Sequence, residues 1–175
     1  MGGDAVNAAL EHRSEGEEQT RRFGRALAAL LRPGDLIRLV GPLGSGKTRL
    51  VQGVAEGLGV DPGAVCSPTF ALVHTYRGRV PVLHADLYRI AGEEELEATG
   101  LFDLLDEAVV LVEWAERAPG LAGRRTLTVE LADAGASRRR LCLSTEDAGL
   151  WARLAALLQD EAAGSAYTRV DSSGG

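Results

Sequence analysis

Lysine and asparagine are almost missing from this chain. Of its 19 basic residues only Lys47 is lysine, and Asn7 is the sole asparagine. Cysteine is scarce too: Cys66 and Cys142 make neither a disulfide framework nor a metal cluster, and read most simply as small buried side chains. No apolar run approaches the roughly 20 residues of a membrane span. No basic-then-apolar segment opens the chain, so a cytoplasmic location without a membrane is expected. With 25 acidic residues against 19 basic, the net charge of −6 excludes nucleic-acid binding by bulk charge. Against a background rich in alanine, glycine and arginine, one retained lysine suggests a task a planar guanidinium does poorly.

What is present suits a folded domain. The 175 residues are 45% hydrophobic and 25% charged, enough to bury a core without staples. Residues 1–13 show no clear period, and the end of the chain is Gly/Ser-rich and polar. Residues 1–13 and 161–175 are therefore expected as flexible tails around a single domain, 14–160. Ser14-Glu15-Gly16-Glu17 matches a capping box, followed by Phe23, Leu27, Leu30 and Leu31 at helical spacing. Leu36–Val40 reads as a strand, Lys47 to about Glu56 as a helix, and 70–76 with 80–88 as a hairpin. A helix over Glu93–Leu105 precedes the uninterrupted apolar run Val109–Val112, expected as a strand buried on both faces. Strands at Thr126–Leu131 and Arg140–Leu143 and a helix over Asp147–Leu158 complete an α/β pattern.

Gly41-Pro42-Leu43-Gly44-Ser45-Gly46-Lys47-Thr48 fits G-x-x-x-x-G-K-[ST], placed between a strand and a helix as that motif requires. The glycines turn backbone N–H groups inward to cradle phosphates, and the helix adds its positive end. Lys47 is assigned to the β- and γ-phosphates, its stem facing solvent, and the Thr48 hydroxyl to Mg²⁺. A second, acidic metal ligand belongs at the end of a buried strand; Glu113 and Asp86 are both candidates. Trp114 is either core packing or a wall of the site. His84 is either a proton carrier or a hydrogen-bonded structural residue. Arg89 and Arg117 are either groups that stabilise transferred charge or solvated surface residues, and Arg138-Arg139-Arg140 is a local basic patch too short to establish RNA binding. An N-K-x-D guanine-reading motif cannot be built from Asn7 and Lys47, so ATP is favoured over GTP. No arginine-bearing lid of the kind small-molecule kinases carry is evident.

Four segments occur in one order: Gly41–Thr48, Ser67-Pro68-Thr69-Phe70, His84-Ala85-Asp86-Leu87-Tyr88-Arg89 and Val112-Glu113-Trp114-Ala115-Glu116. This order closely resembles the TsaE (YjeE) family, P-loop ATPases of bacterial tRNA threonylcarbamoyladenosine synthesis, over about Ser14–Leu143. The resemblance implies a P-loop NTPase-like, three-layer α/β fold with a mixed, mainly parallel sheet flanked by helices. It implies ATP and Mg²⁺ as cofactors, and a nucleotide cycle that supports turnover of a TsaB–TsaD-like protein pair; with no obvious lid or placed arginine finger, hydrolysis by the isolated chain is expected to be slow. Contact with tRNA would be indirect, through that pair. By position, Gly41, Gly44, Ser45, Gly46, Lys47, Thr48 and Arg49 carry over as nucleotide binders, and Glu17 and Arg139 as groups on the base side. Thr48 and Glu113 carry over as metal ligands, and Lys47, Asp86 and Glu113 as the catalytic set. Ser67, Pro68, Thr69 and Phe70 correspond to a switch-like segment near the γ-phosphate. Pro42 replaces the family's usual aspartate, and Ala115 its usual proline. A small-metabolite kinase and a nucleotide-binding interaction module with negligible turnover are the alternatives.

Overall fold

The computed structural model describes residues 9–66 and 72–168. Among the described residues seven strands form one sheet: β1 Leu10–Ser14, β2 Asp35–Val40, β3 Val73–Arg77, β4 Pro81–Asp86, β5 Val109–Glu113, β6 Arg125–Asp133 and β7 Arg139–Thr145. Their spatial order is β1-β7-β6-β2-β5-β4-β3. The centre, β6-β2-β5-β4, is parallel. β3 adds antiparallel at one edge, and β7 and β1 at the other. The expected hairpin thus accounts for only one of the antiparallel margins.

Side chains alternate between the two faces of each strand. From β2, β5 and β6, Ile37, Leu39, Val109, Leu111, Leu127 and Val129 join one core with Phe23 and Leu27 of α1 (Glu17–Ala28), Leu50 and Val54 of α2 (Lys47–Gly57), and Leu150 and Leu154 of α5 (Ala148–Thr168). On the opposite face Leu36, Leu83, Val110 and Val112 pack under Leu96 of α3 (Glu93–Ala98) and Leu101 of α4 (Leu101–Leu104). A 3₁₀ turn, Ala115–Arg117, closes this second layer. Arg38 braces it, donating to the carbonyls of Ala115, Ala118, Pro119 and Leu121 at 2.8–3.2 Å. These three layers match the expected fold.

Several local expectations are corrected. Leu10–Arg13, assigned to the leading tail, pairs with β7. Only Leu10 among its residues is a strong apolar signal; the inward place two residues on is taken by His12, stacked 4.1 Å from Phe23. Helix α5 also runs past residue 160, to Thr168. The expected capping box is not formed. Ser14 is the buried end of β1, donating to the Gly16 carbonyl at 2.7 Å, and Gln19 rather than Glu17 reaches back, accepting from the Glu15 N–H at 2.8 Å. The single helix expected over Glu93–Leu105 is two, divided at Gly100, whose φ of +73° interrupts it.

A candidate nucleotide and metal site at the carboxyl ends of the strands

The parallel strands β2, β4 and β5 all end on one side of the molecule. Alternation puts His84 and Asp86 of β4 and Glu113 of β5 on the face that packs against α2. Asp86 and Glu113 are register partners, so both acids stand side by side at the strand ends. The glycine-rich loop leaves β2 on this same side and feeds directly into α2. Two of its glycines are obligatory for different reasons. At Gly41 (φ +149°) an added Cβ would lie 2.4 Å from the Leu131 carbonyl oxygen. At Gly44 (φ +77°) there is open space within 4 Å, and only the backbone conformation excludes a side chain.

Lys47 is 4% exposed, not solvent-facing as expected from sequence. Its Nζ donates to the carbonyls of Gly41 (2.6 Å) and Pro42 (2.9 Å). It also sits 3.9 Å from the centroid of the Trp114 ring, so Trp114 both packs against the second core layer and walls the candidate site. Burial pushes the Lys47 pKa below its ordinary value, opposed by the negative charges of Glu113, Glu116 and Asp86. Pro42, in place of an acid, leaves the turn intact: its carbonyl accepts from both Lys47 and the Ser45 N–H. Trp114 adopts a left-handed conformation (φ +58°), after which Ala115 opens the 3₁₀ turn.

The Thr48 hydroxyl lies 3.0 Å from each oxygen of Glu113. Glu113 is 3% exposed and its Oε1 is 2.8 Å from Nε2 of the fully buried His84. Asp86 accepts from the Tyr88 N–H at 2.9 Å. Around the loop, Arg139 donates to the Gly44 carbonyl at 3.2 Å, and Arg49 pairs with Glu17 at 2.9 Å. Lys47, Thr48, Asp86 and Glu113 therefore converge, with Glu17, Arg49 and Arg139 at the loop's margin. Ser67, Pro68, Thr69 and Phe70 lie outside the described residues. Cys66, expected to be buried, is exposed; Cys142 is intermediate.

The residues fit a metal–nucleotide ligand. Ser45 Oγ is buried without a partner among the described residues, and the first N–H groups of α2 have no intrahelical acceptor. Thr48 and Glu113 offer only oxygen donors, which suits a hard cation. Among the described residues no cluster of three or more His, Cys, Asp or Glu could hold a metal by itself. One hydroxyl and one carboxylate suit a cation that completes its shell with phosphate and water, as Mg²⁺ does.

A glycine loop between strand and helix, at the carboxyl edge of a parallel sheet core, defines an α/β protein of the P-loop NTPase-like class. Residues 14–141 match the family described as threonylcarbamoyl adenosine biosynthesis protein TsaE, and the chain belongs to that family. Similar proteins include tRNA threonylcarbamoyladenosine biosynthesis protein TsaE of Streptomyces coelicolor, 50% identical over 55% of this chain and 67% of that one. The Bacillus subtilis protein of the same name is 38% identical over 72% of this chain and 79% of its own. The crystal structure of Bacillus subtilis YdiB superposes with a TM-score of 0.70 at 27% identity, covering 87% of this chain and 96% of that one.

Sequence reasoning missed the contact between His84 and Glu113, and the Trp114 platform under Lys47. The first was open to register reasoning: His84 stands two residues before Asp86, and Asp86 pairs with Glu113. The second depends on the left-handed Trp114, for which the sequence carries no signal.

Proposed function

We propose that this chain binds ATP with Mg²⁺ and hydrolyses it as a component of the tRNA threonylcarbamoyladenosine machinery, supporting turnover of a TsaB–TsaD-like protein pair. The contact between Thr48 and Glu113 carries this reading, because it joins the phosphate-loop hydroxyl to a strand-end acid. The names of the relatives support the pathway.

In this reading the N–H groups from Gly44 to Thr48 hold the phosphates, and Lys47 turns from the Gly41 and Pro42 carbonyls toward them. Thr48 and Glu113 hold Mg²⁺, which neutralises charge on the phosphate oxygens when bound. Asp86 stands beside Glu113 to orient or deprotonate water. Trp114 walls the lysine side of this site. Glu17, Arg49 and Arg139 border the nucleoside end, and Ser67–Phe70 responds to the γ-phosphate. The protein acts in the cytoplasm and meets tRNA only through its partners. No described helix is long and apolar enough to cross a membrane.

The test is phosphate release from ATP by the chain alone and with a purified TsaB–TsaD pair. Slow release that rises with the pair is expected. Equal release in both conditions removes the supporting role, and no ATP-dependent release in either removes the hydrolytic one.

A further inference from the structure

Three polar groups converge in the core below the proposed phosphate site, and one has no role so far. His84 is 0% exposed, yet its Nδ1 has no partner among the described residues. A buried imidazole with an idle nitrogen is a poor stabiliser of a core: an aliphatic side chain would avoid stranding a polar atom there. Among the described residues its one hydrogen bond runs to Glu113 Oε1 at 2.8 Å. An ionised carboxylate oxygen only accepts, so Nε2 carries the proton.

Glu113 needs such a donor. It is a buried carboxylate on a strand end, and its long side chain could swing away from the loop. His84 comes from the neighbouring strand, diagonal to Glu113 in the register. Its ring is rigid and enclosed. It grips one oxygen, while the Thr48 hydroxyl stands 3.0 Å from both. When the hydroxyl turns to a cation, His84 remains as the donor holding the carboxylate in place.

We infer that His84 is a positioning residue: its Nε2–H fixes the Glu113 carboxylate in the orientation that receives the metal of the bound nucleotide. This rests on the proposed Mg²⁺–ATP site. It assigns His84 no proton transfer and no contact with nucleotide. Carboxylates around metals are commonly oriented by such outer partners, whose loss costs about 10–100-fold in metal affinity or activity.

The experiment is calorimetric ATP binding across a Mg²⁺ series and again in EDTA, with wild type, His84→Leu, His84→Gln and His84→Asn. Glutamine can present an N–H near the position of Nε2; asparagine is too short to reach Glu113. In His84→Leu the Mg²⁺ concentration for half-maximal enhancement of binding should rise about 10–100-fold. Affinity in EDTA should stay at the wild-type value. His84→Gln should restore the Mg²⁺ response, His84→Asn should not, and His84→Leu should add nothing in a Glu113→Gln background. A folded His84→Leu with the wild-type Mg²⁺ response overturns the inference. So does a His84→Gln as impaired as His84→Leu, which would make ring packing the cause. If His84→Leu does not fold, the Gln and Asn variants decide: identical Mg²⁺ responses overturn the inference, and rescue by Gln alone supports it. A wild-type chain that binds ATP without regard to Mg²⁺ overturns the metal site itself, a result separate from a silent His84.

Discussion

Lys47→Met separates the ligand-binding work of the lysine from its structural cost. The ammonium is almost fully buried, and burial lowers its pKa despite three nearby carboxylates. A folded-state value below the unfolded one means the charged form opposes folding. That cost is fully present below the lowered folded-state value and fades as pH rises from there to the unfolded value. Methionine keeps the unbranched stem over Trp114 and gains a sulfur–aromatic contact of about 0.3–1.5 kcal/mol. It forfeits the contacts to the Gly41 and Pro42 carbonyls, about 1–3 kcal/mol, and the cation–π contact, about 0.5–2 kcal/mol. Removing a buried charge offsets losses of this size. The melting temperature without ligand should therefore move by no more than about 2–4 °C, the equivalent of about 1 kcal/mol for this length. ATP binding loses charge-assisted hydrogen bonds to phosphate. At about 2–4 kcal/mol in all, Kd rises by roughly 30- to 1,000-fold. Scanning calorimetry of the free protein and isothermal titration with Mg²⁺–ATP read the two quantities. A fall of more than about 8 °C would make Lys47 a structural residue, contrary to this balance. Wild-type affinity in a folded variant would remove the phosphate assignment.

Glu113→Gln should lower ATP hydrolysis by at least about 10–100-fold with little change in melting temperature; if Asp86→Asn alone abolishes turnover while Glu113→Gln is silent, the two acids exchange roles. At the far end of β2, the buried Asp35 pairs with Arg125 at 2.6 Å. Asp35→Ala should therefore destabilise by about 3–5 kcal/mol, measured by urea unfolding, while the folded fraction keeps wild-type ATP affinity. Burial against Phe23 holds the His12 pKa below 6.5, with Glu161 raising it and Arg22 lowering it less strongly. The neutral ring is favoured in the fold, so this contribution is present above pH 6.5 and is lost as pH falls through the lowered value. The stability difference between wild type and His12→Phe should change across that window; parallel pH curves would refute the assignment.

The legible parts of the molecule are those with strong local signals. The glycine loop and the apolar run before Glu113 each announce both an element and its chemistry. The two helical layers follow from side chains repeating at helical spacing. Strand β1 was hidden because Leu10, His12 and Ser14 share its inward face, and only the first reads as apolar. The break between α3 and α4 turns on the single Gly100, which a helical pattern tolerates on paper. At the site, residue types identified Thr48, Asp86 and Glu113, but not their convergence with His84. That needs the β4–β5 register, a long-range fact. The burial of Lys47 follows from the conformation of Trp114, set by the exit of β5 into the 3₁₀ turn.

The most direct measurement is a crystal structure with a non-hydrolysable ATP analogue and Mn²⁺ in place of Mg²⁺, located by its anomalous signal. One metal peak is expected, bound by Thr48 Oγ1 and on the Glu113 side of the loop, with phosphate oxygens on the N–H groups from Gly44 to Thr48 and Lys47 Nζ moved onto them. A metal peak remote from Thr48 and Glu113, or phosphates outside the glycine loop, would contradict it.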